Sequence, residues 1–409
     1  MDFTQDLSNA IFYECVSNIY EKIVMPSTVK SAYFSSNKSN VSKKDRKKKD
    51  IQEIPIMPED ENLVVADDFD FVSHYGDSTE EQGDELLSEN TANTAISCGF
   101  IGVGGAGGKM AQAFIDIGFN KTLLVNTTEK DQPDNTDPDH FLLIPGADGV
   151  GKDISLGEKV LTENSTLVED ALKNRIGSVD WLFVLAGGGG GTGSAAASLH
   201  GSFERYMKSS GAGGSIVYIL TSPSAQELLN PTIRSNYSKA LSQVSIHSHI
   251  ILDNERQLQL LRGKVGVLNM FPLANISFAK MLAQIFKLAG ASSPIQAFDT
   301  KDLERCLREN GRLFLGTTVI SDPSSTGLGS RIFQESVKNS PCPAPSGTPS
   351  VGSLLLCVSE EMASDPTISN HMESAVAYVG GRSEALFSGI YVRDGLPGLV
   401  AIVMLGGLN

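Results

Sequence analysis

Five cysteines in 409 residues, Cys15, Cys98, Cys306, Cys342 and Cys357, stand far apart, and no two share CxxC spacing. An odd, scattered set argues against a disulfide framework and a thiolate zinc site, and fits a reducing compartment. No apolar run reaches the roughly 18 residues that a membrane span needs. The chain opens MDFTQDL with no early basic residue, so no secretory leader is expected. No Gly-Lys-Ser or Gly-Lys-Thr follows either of its glycine clusters, which excludes a Walker P-loop. No internal repeat is visible. These absences lead to an expectation of a soluble, cytoplasmic protein with no membrane span.

Charge is distributed very unevenly. The formal net charge is -15; residues 1–50 carry 9 basic and 6 acidic side chains, and residues 51–90 carry 13 acidic and no basic ones, leaving -5 for the other 319. Opposite charge blocks with few aromatics bury too little apolar surface to offset chain entropy, so residues 36–95 are expected to be disordered. Ahead of them Ile11, Phe12, Cys15, Val16, Ile19, Tyr20, Ile23 and Val24 recur at helical spacing, which predicts a short helix packed on the main body or on a partner.

From Ser97 onward, apolar runs (CGFIGV, TLLVN, HFLLIPG, DWLFVLAG, GSIVYILTS, HIILDN) alternate with helix-like stretches. That rhythm predicts an α/β fold with a doubly wound parallel sheet, whose ligands bind at the carboxyl edge. A long helix, PLANISFAKMLAQIFKLAG, follows, and then RLFLGTTVI, SLLLCVS, FSGIYVRD and GLVAIVMLGG with fewer helices between them. The expected organisation is an N-terminal extension over 1–95, a nucleotide-binding domain over 96–270, a central helix over 271–294, and a smaller mixed α/β domain over 295–409.

Two glycine clusters carry the most information: GFIGVGGAGGK around Gly102–Gly108 and LAGGGGGTGS around Gly187–Gly193. Each follows a strand-like run and precedes a helix-favouring one. Such a loop lets backbone N–H groups converge at a helix N-terminus, where the dipole also favours negative charge, and glycine has no side chain to block the approach. Two loops on neighbouring strands would grip opposite sides of one di- or triphosphate. Gly102-Val-Gly104-Gly-Ala-Gly107 also satisfies GxGxxG, but the next strand ends in Asn126 and Thr127 rather than in the acid that a dinucleotide's ribose requires. A dinucleotide enzyme is therefore disfavoured.

Gly189-Gly-Gly-Thr192-Gly-Ser194 resembles the signature loop of the tubulin/FtsZ superfamily of GTPases, departing from it at Ala195. In the family's order, GVGGAGGK resembles its first phosphate loop and LVNTTEKD its second strand and loop. PGADGVGKD, with Gly149 and Gly151, resembles the loop near the γ-phosphate, and LTSPSAQE, with Pro223 and Glu227, the ribose loop. VNTTEKD, DGVGKD and ILDNER look most like the TubZ branch of plasmid and bacteriophage tubulins, whereas FDTKDLERCLRENGRLFLGTT is FtsZ-like. The resemblance implies GTP and GDP as ligands with Mg²⁺, a bacterial or phage-infected host cytoplasm, and head-to-tail filaments that position or segregate DNA.

It implies phosphate binding by Gly104, Gly105, Ala106, Gly107 and Gly108 and by Gly188, Gly189, Gly190, Gly191, Thr192, Gly193 and Ser194. Asn126 and Asn275 are candidates for the guanine edge, since one amide offers both donor and acceptor; a strand-end turn and a helix-surface position are the plainer readings of these two. No protein ligand to a metal is expected, because Mg²⁺ tends to keep its waters. Asp299 and Asp302 match the family's catalytic loop, which acts on the neighbouring subunit's nucleotide; both also suit helix capping. A GTP-binding filament scaffold without turnover is the alternative. The sequence closes in MLGGLN without the partner-binding tail of relatives, so the N-terminal extension is expected to tune bundling or recruit cargo or a DNA-binding adaptor.

Overall fold

The computed structural model describes residues 94–134, 136–209 and 215–408. The helix expected over 11–24 and nearly all of the charged extension lie outside the described residues. Ten strands form one sheet: β1 (Cys98–Val103), β2 (Thr122–Asn126), β3 (Phe141–Leu143), β4 (Trp181–Gly187), β5 (Ile216–Ser222), β6 (Ser248–Asp253), β7 (Gly311–Ile320), β8 (Val351–Val358), β9 (Ala385–Val392) and β10 (Leu399–Leu408). Each falls on one of the apolar runs read from the sequence. The helices are α1 (Gly104–Asp116), α2 (Ile154–Glu163), α3 (Ser165–Ala171), α4 (Gly191–Ser194), α5 (His200–Ser209), α6 (Pro231–Val244), α7 (Asn254–Leu261), α8 (Val267–Ala289), α9 (Thr300–Arg308), α10 (Leu328–Asn339), α11 (Glu360–Ser364) and α12 (Pro366–Gly380).

The strand order is β3-β2-β1-β4-β5-β6-β7-β10-β8-β9. From β3 to β7 every neighbouring pair is parallel, whereas β10 runs antiparallel to both β7 and β8. Every residue of β1, β2 and β4 is buried, as parallel strands covered by helices on both faces require. Alternation sorts them: Phe100, Phe183 and Leu185 enter one core, while Ile101, Val103, Leu182 and Val184 enter the other. The sheet continues through the parallel pairing of β6 with β7, where Ser248 faces Gly311 and Ile250 faces Leu313.

Helix α8 packs lengthwise on the first of these cores. Phe278, Met281, Leu282, Ile285 and Phe286 are all buried, at the i, i+3, i+4, i+7, i+8 spacing of one helical face. Aromatic rings join it to the strands: Phe183 lies 5.5 Å from Phe286 and 5.2 Å from Phe100, which stacks on Phe114 of α1 at 4.1 Å. The helix begins at Val267 rather than at 271 and ends at Ala289, with Gly290 as its C-cap, rather than at 294. Pro272 lies inside it. Proline is best tolerated in a first turn; here the helix has already turned once before it.

On the opposite face the His200 ring stacks on His247 at 4.0 Å, and His200 Nδ1 pairs with Tyr218 Oη at 2.8 Å. Burial holds His200, His247 and His249 below the usual histidine range, against the carboxylate of Glu204 near the first two. The folded state thus binds fewer protons than the unfolded chain, so stability is complete above the unfolded pKa of about 6.5 and declines as the pH falls through it. Urea midpoints measured from pH 8 to pH 5 should fall at the acid end, and His247→Gln should flatten that slope. Phe183→Ala, which empties a fully buried site, should destabilise the fold by about 3–5 kcal/mol in the same assay.

Candidate functional site

The strand order reverses between β1 and β4: β2 and β3 lie on one side of the pair, β5 and β6 on the other. Val103 and Ala186 are register partners, so the chain leaves both strands side by side at the carboxyl edge. A crevice opens at such a reversal. Here it is a cleft of about 220 Å³, and Gly105, Ala106, Gly189, Gly190, Gly193, Pro223 and Glu227 of the sequence-derived set line it.

The first cluster forms less of a loop than its composition suggested. Helix α1 starts at Gly104, directly after β1, so Gly104 to Gly108 are its first turns, and the second cluster turns helical at Gly191. Neither helix start carries a side-chain cap or an acidic residue in its first turn. By contrast α2, α6, α7, α9 and α12 are each capped by an Asp or Asn side chain. The leading N–H groups at the cleft, together with the helix dipoles, suit an anion.

Most of the glycines are required by protein packing rather than by ligand approach. A Cβ on Gly107 would lie 2.3 Å from the Leu185 carbonyl oxygen, and one on Gly193 would lie 2.7 Å from that of Gly187. Gly104 has φ +73° and sits so close to Gly193 that its Cβ would meet that residue's nitrogen at 2.7 Å. The two clusters interlock backbone to backbone. Gly188 abuts the Tyr237 ring, and Gly108 faces Leu124. Gly190 is different: it lines the cleft, and a Cβ there would meet nothing within 4 Å.

The segment containing Gly149 and Gly151 is tied to both neighbours. Gly149 N donates to Thr127 O at 2.8 Å, and Gly191 N donates to Gly151 O at 3.1 Å. Thr192 Oγ1 shares a hydrogen bond of 2.9 Å with Thr127 Oγ1, and Ser194 Oγ donates to Gly187 O at 3.4 Å. Both hydroxyls therefore brace the loops from behind. Asn126 Oδ1 accepts from Thr127 N at 2.8 Å, a strand-end turn, and Asn275 is half-buried on α8; neither lines the cleft. Glu227 Oε2 accepts from Ser224 N and Oγ at 2.8 and 2.9 Å.

Asp299 and Asp302 are at the opposite edge of the sheet. Gly290, just after α8, packs on Ala95 ahead of β1, at the edge of the sheet opposite the cleft. Tyr391 Oη donates to Leu288 O and contacts Phe298, which places the neighbouring Asp299 beside the end of α8. Together they form a capping box on α9: Asp299 Oδ1 accepts from Lys301 N and Asp302 N, and Asp302 Oδ2 accepts from Asp299 N. Burial and the Asp299 carboxylate hold Asp302 above the usual carboxylate range, against the backbone N–H that it accepts.

No protein-family model matches the chain. Cell division protein FtsZ 1 of Pyrococcus horikoshii is 25% identical over 239 residues, which is 57% of this chain and 61% of that protein's length. Among solved structures, TubZ of Bacillus thuringiensis serovar israelensis in GDP-form protofilaments superposes with TM-score 0.66 at 18% identity, over 81% of this chain and 92% of that one. CetZ2 of Haloferax volcanii, in a GTPγS-bound protofilament, gives 0.63 at 21% identity, over 76% and 93%. This is the tubulin/FtsZ fold. The FtsZ dimer of M. jannaschii superposes as well, at 0.58 and 18% identity, over 80% and 93%.

In this tubulin/FtsZ fold the cleft also gathers residues outside the sequence-derived set: Lys152, Gly187, Thr221, Ile233 and Asn254. Lys152, Thr221 and Asn254 fall within the quoted motifs DGVGKD, LTSPSAQE and ILDNER, but none of the three is a candidate on the sequence. Behind them stands Asn236, which had a readable signal: Ile233, Asn236, Ala240 and Val244 form the buried stripe of α6, and an amide occupies a position where periodicity calls for an apolar side chain. The glycine geometry predicts a contrast between two variants. Gly107→Ala should lower the melting temperature by several degrees, because the clash is with backbone, whereas Gly190→Ala should leave it unchanged; thermal unfolding followed by circular dichroism checks both.

Proposed function

We propose that this chain is a tubulin/FtsZ-like GTPase that assembles head to tail into dynamic filaments and hydrolyses GTP between subunits. One observation carries the reading: an anion-ready cleft lies at one edge of the sheet and the Asp299–Asp302 pair at the other. The 23-residue helix α8 that connects the two edges is about 34 Å long. Within one chain the aspartates cannot reach the cleft; a second copy stacked on the first can bring its own pair there. Contacts of this heterologous kind build an open filament when they do not close. The protofilament states of the TubZ and CetZ2 neighbours support the same arrangement.

The chemistry asked of the protein is positioning and charge stabilisation. The first-turn N–H groups of α1, and those of α4 beyond Gly191, whose own N–H is taken by Gly151 O, hold the phosphates, and Asp302, whose raised pKa brings it closer to the range of a useful base, polarises the attacking water. Asp299 holds the loop through the capping box. Among the described residues no group of three or more His, Cys, Asp or Glu is placed to hold a metal ion, so Mg²⁺ would neutralise charge while bound chiefly by phosphate oxygens and water. Filament turnover of this kind suits the movement of DNA, of plasmid or phage type, with the N-terminal extension recruiting an adaptor or cargo.

Phosphate release from GTP and Mg²⁺, measured across protein concentration with light scattering on the same samples, tests the reading. Specific activity should rise from near zero above a threshold that coincides with scattering. Activity independent of concentration would mean a site complete within one subunit. Scattering without release would mean a nucleotide-binding scaffold. Asp302→Ala should retain assembly, lose at least about tenfold in phosphate release, and form longer-lived filaments.

A further inference from the structure

We propose that Lys152 is the cation that reads the nucleotide's terminal phosphate, and that the buried amide of Asn236 is the positioning residue that holds it there. The inference rests on the nucleotide-binding reading of the cleft and names the group that distinguishes a triphosphate from a diphosphate.

Among the described residues, Lys152 is the one basic residue lining the cleft. Its ammonium has no hydrogen bond or ion pair to any described residue, whereas nearby Lys130 pairs with Asp148 and Lys239 with Glu158. The only acidic residue lining the cleft among the described residues, Glu227, belongs to the segment after β5. A carboxylate there suits sugar hydroxyls and repels phosphate, so the anionic end of a bound nucleotide points toward Lys152. The lysine backbone is fixed from below. Asn236 is 3% exposed, and its Nδ2 donates to Lys152 O at 2.8 Å, with Gly190 O at 3.4 Å and Gly189 O at 3.5 Å also within reach. One amide thus joins the lysine segment to the second glycine cluster, and Gly191 N→Gly151 O closes the junction from the other side. A charge carried on a flexible stem distinguishes phosphates only if its base is held; the clamp provides that.

The test uses the full chain below its assembly threshold, with Mg²⁺, and competes a fluorescent nucleotide with GDP and with GTPγS. Lys152→Gln should weaken GTPγS by about tenfold, as loss of a charge-assisted contact does, and GDP by less than about twofold. Lys152→Arg should keep the preference. Asn236→Ala should lower the GTPγS preference in the wild-type background but have no further effect beside Lys152→Gln, since it acts through the lysine. If Lys152→Gln weakens both nucleotides equally or neither, Lys152 is a solvated surface lysine and the proposal falls. If Asn236→Ala lowers the preference as much beside Lys152→Gln as alone, the clamp does not work through Lys152. A wild-type chain that binds neither nucleotide would instead overturn the nucleotide reading itself.

Discussion

The structure depends on the interlock of two glycine segments where β1 and β4 run side by side. Gly107 against Leu185 O, Gly193 against Gly187 O and Gly104 against Gly193 N are approaches that any Cβ would forbid. They bring two helix starts to one cleft with no side chain capping either, the Gly191 N–H alone being taken by Gly151 O. Other features support this junction. Thr127 and Thr192 share a hydroxyl hydrogen bond behind it, and the 146–153 segment is bonded to both sides. The aromatic core of Phe100, Phe114, Phe183 and Phe286 fixes the strands and helices from which the two segments emerge. The cleft is shaped first by close packing, and its suitability for an anion follows from which backbone groups that packing leaves exposed.

Much of this was legible in the sequence because the strands are buried on both faces and therefore read as continuous apolar runs. Ile216–Ser222 and Leu399–Leu408 are examples whose type and approximate ends could be read directly. The meeting of the two glycine clusters was legible too, since each follows a strand of one parallel sheet and a shared phosphate asks for neighbouring strands, as β1 and β4 are. The misreadings were local. A run of glycines has poor helix propensity, so Gly104–Gly108 read as a loop; contacts with β4 override propensity, and the run is helical. Asn126 suits a base edge by its chemistry and a strand-end turn by its position, and in the structure its amide oxygen accepts from Thr127 N, one residue away. Such nearest-neighbour bonds depend on backbone angles that composition does not encode. Asn236 illustrates the opposite case, a signal present in the periodicity of α6 and interpretable only once the carbonyls above it were located.

Helix α8 gives the arrangement its mechanical character. It is buried along one face against both the parallel strands and the later half of the sheet, through Phe278, Met281, Leu282, Ile285 and Phe286. A close-packed contact of that length moves as a unit or not at all. Its C-terminal end lies beside the Asp299–Asp302 cap, at the edge of the sheet opposite the cleft. Under the proposed function these are the two halves of one active site, held apart in every subunit. Under that proposal, completing the site would require a second copy, and the rate of chemistry would be tied to assembly by geometry rather than by a separate regulatory element. The same geometry explains why capping and catalysis need not compete at Asp299 and Asp302. A capping box that orders the start of α9 presents the carboxylates at a defined position, and under the proposed function a neighbour's phosphate would need that order before it could use them.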